Sequence, residues 1–169
     1  MNNAGEHVEQ AVEVYLGLGS NDDARRNLAS GVDALREQFG DVECSPLYQS
    51  AAVGFEGKDF LNACCRIRTE MAPQALKAWL TELENRHGRR RNVPKFSDRT
   101  LDIDILLHGD HVGQFGELKL PRDEILKYAH VLKPLADLAP DLEHPLTGKT
   151  IARHWDDFDG DRKLSRVEP

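Results

Sequence analysis

The stretch that most constrains this chain is Arg99 to Gly109, RTLDIDILLHG, where apolar and acidic residues alternate. Side chains of a strand point to its two faces in turn, so Leu101, Ile103, Ile105 and Leu107 form a buried face while Asp102 and Asp104 emerge together on the other. Residues two apart in a strand are separated by roughly 6.5 to 7 Å. Across that span, two carboxylates can share a pair of divalent ions about 3.5 to 4 Å apart. Magnesium is the expected occupant, because all-oxygen ligation without neighbouring Cys or His suits a hard cation that brings nucleotide phosphates with it. The bland alternative has one aspartate facing water and the other in a salt bridge, since a two-residue motif recurs by accident.

The preceding residues sharpen the choice. From Arg86 to Arg99 there are six basic residues and one acidic residue, in a chain whose formal net charge is -7. Such a local reversal of sign beside paired acids is what a metal-bound polyphosphate requires on its two sides. A solvated basic loop is the competing reading. The overall acidity argues against a general nucleic-acid binder, which needs a broad basic surface. No apolar run is long enough to cross a bilayer, and the polar start MNNAGEHVEQ has no signal-peptide core; no membrane partner and a cytoplasmic location are expected. Cys44, Cys64 and Cys65 are odd in number and two are adjacent, which suits reduced thiols better than a disulfide framework.

In chain order, Val12, Val14, Leu16 and Leu18 alternate along a first strand, Ala11 to Gly19, which ends in Gly-Ser-Asn. Helical spacing of Leu28, Val32, Leu35 and Phe39 predicts a helix from Asp22 to Gly40. A second strand is expected around Val42 to Ser50. The following SAAVGFEGK reads as a loop that closes over a ligand. In the next strand, Phe60 and Asn62 share one face and Leu61, Ala63, Cys65 and Ile67 the other. That pair reads either as an aromatic and an amide for a heterocycle, or as an edge-of-core Phe and a turn-capping Asn. Pro73 opens a second helix whose stripe is Leu76, Trp79, Leu80 and Leu83. A short strand pair within His111 to Leu120 and short helices at Pro121 to Tyr128 and Val131 to Pro140 should follow.

The order through Leu107 is therefore β-α-β-β-α-β. This is the split βαβ, ferredoxin-like α+β pattern, an antiparallel sheet with both helices on one face and the opposite face left for a site. Asp102, Asp104, Phe60 and Asn62 all point to that free face. The length suits a single domain: residues 1–10 are expected to be a flexible leader, 11–158 the domain and 159–169 a mobile charged tail.

These segments resemble the bacterial 6-hydroxymethyl-7,8-dihydropterin pyrophosphokinases of folate biosynthesis. The resemblance is carried by YLGLGSN at Tyr15 to Asn21, SPLYQS at Ser45 to Ser50, DFLNA at Asp59 to Ala63, RTLDIDILLHGD at Arg99 to Asp110, LPRDE at Leu120 to Glu124 and VLKPLADLAPDLEHPLTGKTI at Val131 to Ile151. It implies a monomeric, magnesium-dependent enzyme that moves the terminal diphosphate of ATP onto a pterin's hydroxymethyl group and releases AMP. It also implies that Asp102 and Asp104 hold two magnesium ions, that Arg89, Arg91 and Arg99 bind the triphosphate, and that Arg89 and Arg99 act in catalysis. Glu84 then lies near the nucleotide and the Ile105 backbone reads adenine. Asn62 reads the pterin edge, Ser50 and Val53 line it, and Phe60 and His130 sandwich it. Departures from the family pattern are His130 for a Phe, Arg122 for a His, Tyr128 near a usual Arg, Phe96 for a Trp, Lys95 for an Arg, and Ala51-Ala52 for a Pro pair. They leave open a paralogue acting on a related pterin or another heterocyclic alcohol, or a nucleotide or pterin binder without catalysis.

Overall fold

The computed structural model describes residues 7–54, 56–88 and 100–168. Its main sheet has the order β5-β1-β4-β3-β8, with β1 at His7–Ser20, β3 at Leu47–Ser50, β4 at Phe60–Met71, β5 at Asp102–His108 and β8 at Ser165–Val167. A two-residue β2, Glu43–Cys44, also pairs with β4. All of these pairings are antiparallel. The helices α1 (Ala24–Phe39) and α2 (Pro73–Arg86) complete the expected split βαβ order. A separate hairpin joins β6, Gly113–Phe115, to β7, Leu118–Leu120.

The alternation in the sequence sorts the two faces. Val14, Leu16, Leu18, Cys65, Ile67, Ile103 and Ile105 meet Leu28, Leu35, Leu76, Leu80 and Leu83 in one buried cluster. Trp79 lies at its margin, with its ring 5.1 Å from that of Phe39 and nearly edge-on. Burial of such side chains supplies the main driving force for docking both helices on this face.

Four features differ from the sequence expectation. The first strand begins at His7, within the stretch read as a leader, because β4 is long enough to pair with it as far as Met71. The second strand is broken by Ser45-Pro46 into β2 and β3, since proline has no N–H to give a ladder. Ser165–Val167, within the stretch read as a mobile tail, forms β8 against Leu47–Gln49. Cys44 and Cys65, expected as thiols, face each other across β2 and β4 and are joined in a disulfide; register, which spacing along the chain does not reveal, brings them together.

The opposite face is also more occupied than the pattern suggests. Between Tyr15 and Leu16 the pairing with β5 shifts from Leu107 to Ile105, leaving Leu106 as an extra residue. This irregularity turns Leu107 away from the face of Leu101, Ile103 and Ile105. Leu106 and Leu107 instead join Tyr15, Cys64, Leu132, Leu135 and Ile151 in a second cluster. It is covered by α3 (Ala129–Leu138) and α4 (Ile151–Asp157). Half of the face expected to be free is therefore core.

Leu80 is fully buried whereas Leu146 is 60% exposed. Leu80→Ala should cost about 2–5 kcal/mol of unfolding free energy, while Leu146→Ala should stay within about 0.5 kcal/mol; urea denaturation of both variants checks the contrast.

Candidate active site

The rest of that face is built by register. Gly19 of β1 lies opposite Asn62 on β4 and opposite Asp102 on β5, and Gly17 lies opposite Cys64 and Asp104. Directly opposed residues in an antiparallel sheet project to the same side. Asp102 and Asp104 therefore form one wall, Asn62 and Phe60 the other, and two glycines the strip between them. Reading β1 only for its apolar side misses this strip. Its signal was nonetheless present as the alternate glycines of Tyr-Leu-Gly-Leu-Gly.

The Asn62 wall is fixed by hydrogen bonds. Its Nδ2 donates to Ser50 Oγ at 2.8 Å and to the Tyr48 carbonyl at 3.2 Å. Both amide protons are thus engaged, and Oδ1 is the atom Asn62 offers to a ligand N–H. Ser50 is buried beside it, opposite Phe60 in the register. Tyr48 carries the frame further: its hydroxyl donates to Asp137 of α3, which also pairs with Lys133 at 2.9 Å. Asn21 donates through Nδ2 to the Lys58 carbonyl at 3.0 Å, pinning the end of the loop before β4 to the end of β1. Val53 on that loop is 43% exposed.

His130 sits in the first turn of α3, with its ring 5.2 Å from that of Tyr128 and nearly parallel to it. Burial pushes its imidazole below the usual range, with Glu124 opposing the shift, so the ring is neutral at physiological pH. It presents an uncharged flat surface.

On the acidic wall, burial and then the charge of Asp102 raise the Asp104 carboxyl well above its ordinary value of 3.8, while Arg122 and Lys77 oppose the rise. Arg122, which follows the cis Leu120-Pro121 bond, bridges Asp104 at 3.6 Å and Glu124 at 3.1 Å. Glu84 is wholly buried and its Oε2 accepts the Ile103 N–H at 2.8 Å. This bond caps the outer backbone edge of β5 between the two aspartates. Ile105 is core by its side chain, and its N–H points to the same outer edge as that of Ile103. Arg89, Arg91 and Arg99, with Lys95 and Phe96, lie outside the described residues.

The donor set fits magnesium. Asp102 and Asp104 are two carboxylates projecting side by side from β5, an all-oxygen donor pair of the kind that suits a hard cation. Such a site leaves most coordination positions to phosphate and water, as magnesium prefers.

Fold and site together define a small α+β protein in which one sheet face carries paired carboxylates beside an amide and aromatic wall. A family model described as 7,8-dihydro-6-hydroxymethylpterin-pyrophosphokinase (HPPK) matches residues 15–140, and the chain belongs to that family. It is 35% identical to a 2-amino-4-hydroxy-6-hydroxymethyldihydropteridine pyrophosphokinase of Synechocystis, over 85% of this chain and 74% of that protein. A protein of the same name from Haemophilus influenzae is 33% identical over 94% of this chain and 99% of its own length. Among solved structures, Plasmodium falciparum HPPK-DHPS with pteroate superposes with a TM-score of 0.65 at 14% identity, over 88% of this chain and 42% of that one. The structural likeness establishes the ferredoxin-like α+β fold.

A carboxyl that holds its proton more tightly when folded contributes stability that is complete below its unfolded pKa and is lost as pH rises through its raised folded value. In chelator-treated protein, stability from this source should therefore fall as pH climbs from the ordinary aspartate range toward neutrality. Asp104→Asn should flatten that slope, as thermal melts across the same pH series will show.

Proposed function

We propose that this chain transfers the diphosphate of ATP to the hydroxymethyl group of 6-hydroxymethyl-7,8-dihydropterin, giving AMP and the pterin diphosphate. The observation that carries the reading is the pairing of Gly19 with both Asn62 and Asp102, which sets a heterocycle-reading amide and a cation-holding acid on one face, two strands apart. Membership of the family and the names of the relatives support the substrates.

Asn62 Oδ1 accepts an N–H of the pterin edge, and Phe60 and His130 offer flat surfaces to its ring. Asp102 and Asp104 would hold two magnesium ions, whose chemistry when bound would be to neutralise charge at the β-phosphorus and lower the pKa of the attacking hydroxyl. The pterin oxygen forms the new bond to the β-phosphorus, the bond to the bridging oxygen of AMP breaks, and the hydroxyl proton leaves to solvent. Glu84 keeps the acid strand in place through the Ile103 N–H. Arg89, Arg91 and Arg99 bind the triphosphate in this reading, on the match of their positions to the family's. The catalytic demand is positioning and charge neutralisation.

The direct assay is AMP formation from ATP only when the pterin alcohol is present. Asp102→Asn and Asp104→Asn should each lower kcat by about 10²–10³-fold; full turnover by either variant would overturn the metal assignment. ATP and pterin binding measured by calorimetry without any AMP would instead identify a non-catalytic binding protein.

A second reading, transfer to a related pterin or another heterocyclic alcohol, is favoured by the stacked Tyr128 and His130 pair. His130→Phe should lower KM for the ordinary pterin if the smaller imidazole is the weaker platform. Unchanged KM would remove the support for this second reading.

A further inference from the structure

Among the described residues, Gly19 has neither a conformational nor a packing reason to be glycine. It lies in the extended run of β1 and is absent from the residues with positive φ. A Cβ built on it would lie 3.5 Å from Asn62 Oδ1, 3.7 Å from Phe60 Cδ1 and 3.9 Å from the Leu61 carbonyl oxygen, all ordinary contact distances. Gly17 is different, because its Cβ would approach Leu106 Cδ2 to 3.3 Å. Gly31 is different again, with Leu101 Cδ2 at 3.1 Å. Those two positions are tighter than an ordinary Cβ contact, and Gly19 is not.

A glycine that the strand itself does not require marks a place where something else comes close to the backbone. Its neighbours indicate what. The Asn62 amide oxygen leans over the position and has an acceptor's role left to play, since Nδ2 is held by Ser50 and Tyr48. The Phe60 ring edge flanks it, and Asp102 stands opposite on the other neighbouring strand. From β4 to β5 across β1 is about 9.5 Å, twice the spacing of paired strands. A flat molecule with an N–H edge at one end and a reacting hydroxyl at the other spans that gap across the strand, its edge toward Gly19.

We propose that Gly19 is a specificity-determining residue, its bare backbone leaving the room in which the edge of the acceptor's ring passes between the Asn62 amide and the Asp102 carboxylate. This inference rests on the functional reading above for the identity of the acceptor. It adds that a methyl group at this one position lifts the acceptor from its seat while leaving fold and nucleotide binding intact.

The test is Gly19→Ala in the full chain, compared with wild type by thermal melting, by calorimetry with magnesium and a nonhydrolysable ATP analogue, and by calorimetry with 6-hydroxymethyl-7,8-dihydropterin added to that complex. The expected result is an unchanged melting midpoint, unchanged nucleotide affinity and pterin affinity weakened by about 10- to 200-fold, the range for one methylene in a fitted pocket. Equal pterin affinity in the two proteins would overturn the proposal, and so would a large drop in melting midpoint, which would make Gly19 structural. If wild type itself binds no pterin, the functional reading fails first, a result distinct from either.

Discussion

The constraint on which the rest of this structure depends is the double pairing of β1, held on one side by β4 and on the other by β5. Because side chains alternate with a period of two, a slip of one residue on either side would send Asp102 and Asp104, or Asn62 and Phe60, into the helical core. Apolar positions on the other face forbid that slip. Leu16, Leu18, Cys65, Ile67, Ile103 and Ile105 are buried against α1 and α2, and exposing them would cost far more than any polar contact in the site returns. The hydrophobic face thus fixes the chemistry on its reverse side.

The site then gains rigidity from bonds that do not touch substrate. Glu84 reaches from α2 to the Ile103 N–H between the acids. Ser50 and the Tyr48 carbonyl hold the Asn62 amide in one orientation, and the Tyr48 hydroxyl extends the frame to α3, which bears His130. Arg122 neutralises part of the acid pair from the turn after β7. A binding surface with locked rotamers loses little freedom when it takes up a ligand.

The sequence made the near half of this picture legible and hid the far half for identifiable reasons. Alternation alone places Asp102 and Asp104 on one face, separates Phe60 and Asn62 from Leu61 and Ala63, and yields the order of strands and helices. It fails at Leu107, because one unpaired residue at Leu106 reverses the alternation and nothing in Leu-Leu signals it. The disulfide between Cys44 and Cys65 and the return of Ser165–Val167 to β3 depend on which strands become neighbours, information that no local window contains. The cover provided by α3 and α4 was missed because the helix at Val131 to Pro140 was recognised without a surface to place it on, and the helix at Ile151–Asp157 was not recognised. Gly19 was read as the end of a strand, when its meaning comes from the two residues beside it in space.

The pairing of β8 with β3 has a further consequence for how the protein is made. Leu47 meets Val167, so the outer edge of β3 acquires this partner only once Val167 itself has left the ribosome. Contacts so distant in sequence are slow to close. Until then, the nascent chain exposes an incomplete sheet edge, and it is during this interval that chaperone capture or intermolecular strand exchange competes with completion of the fold.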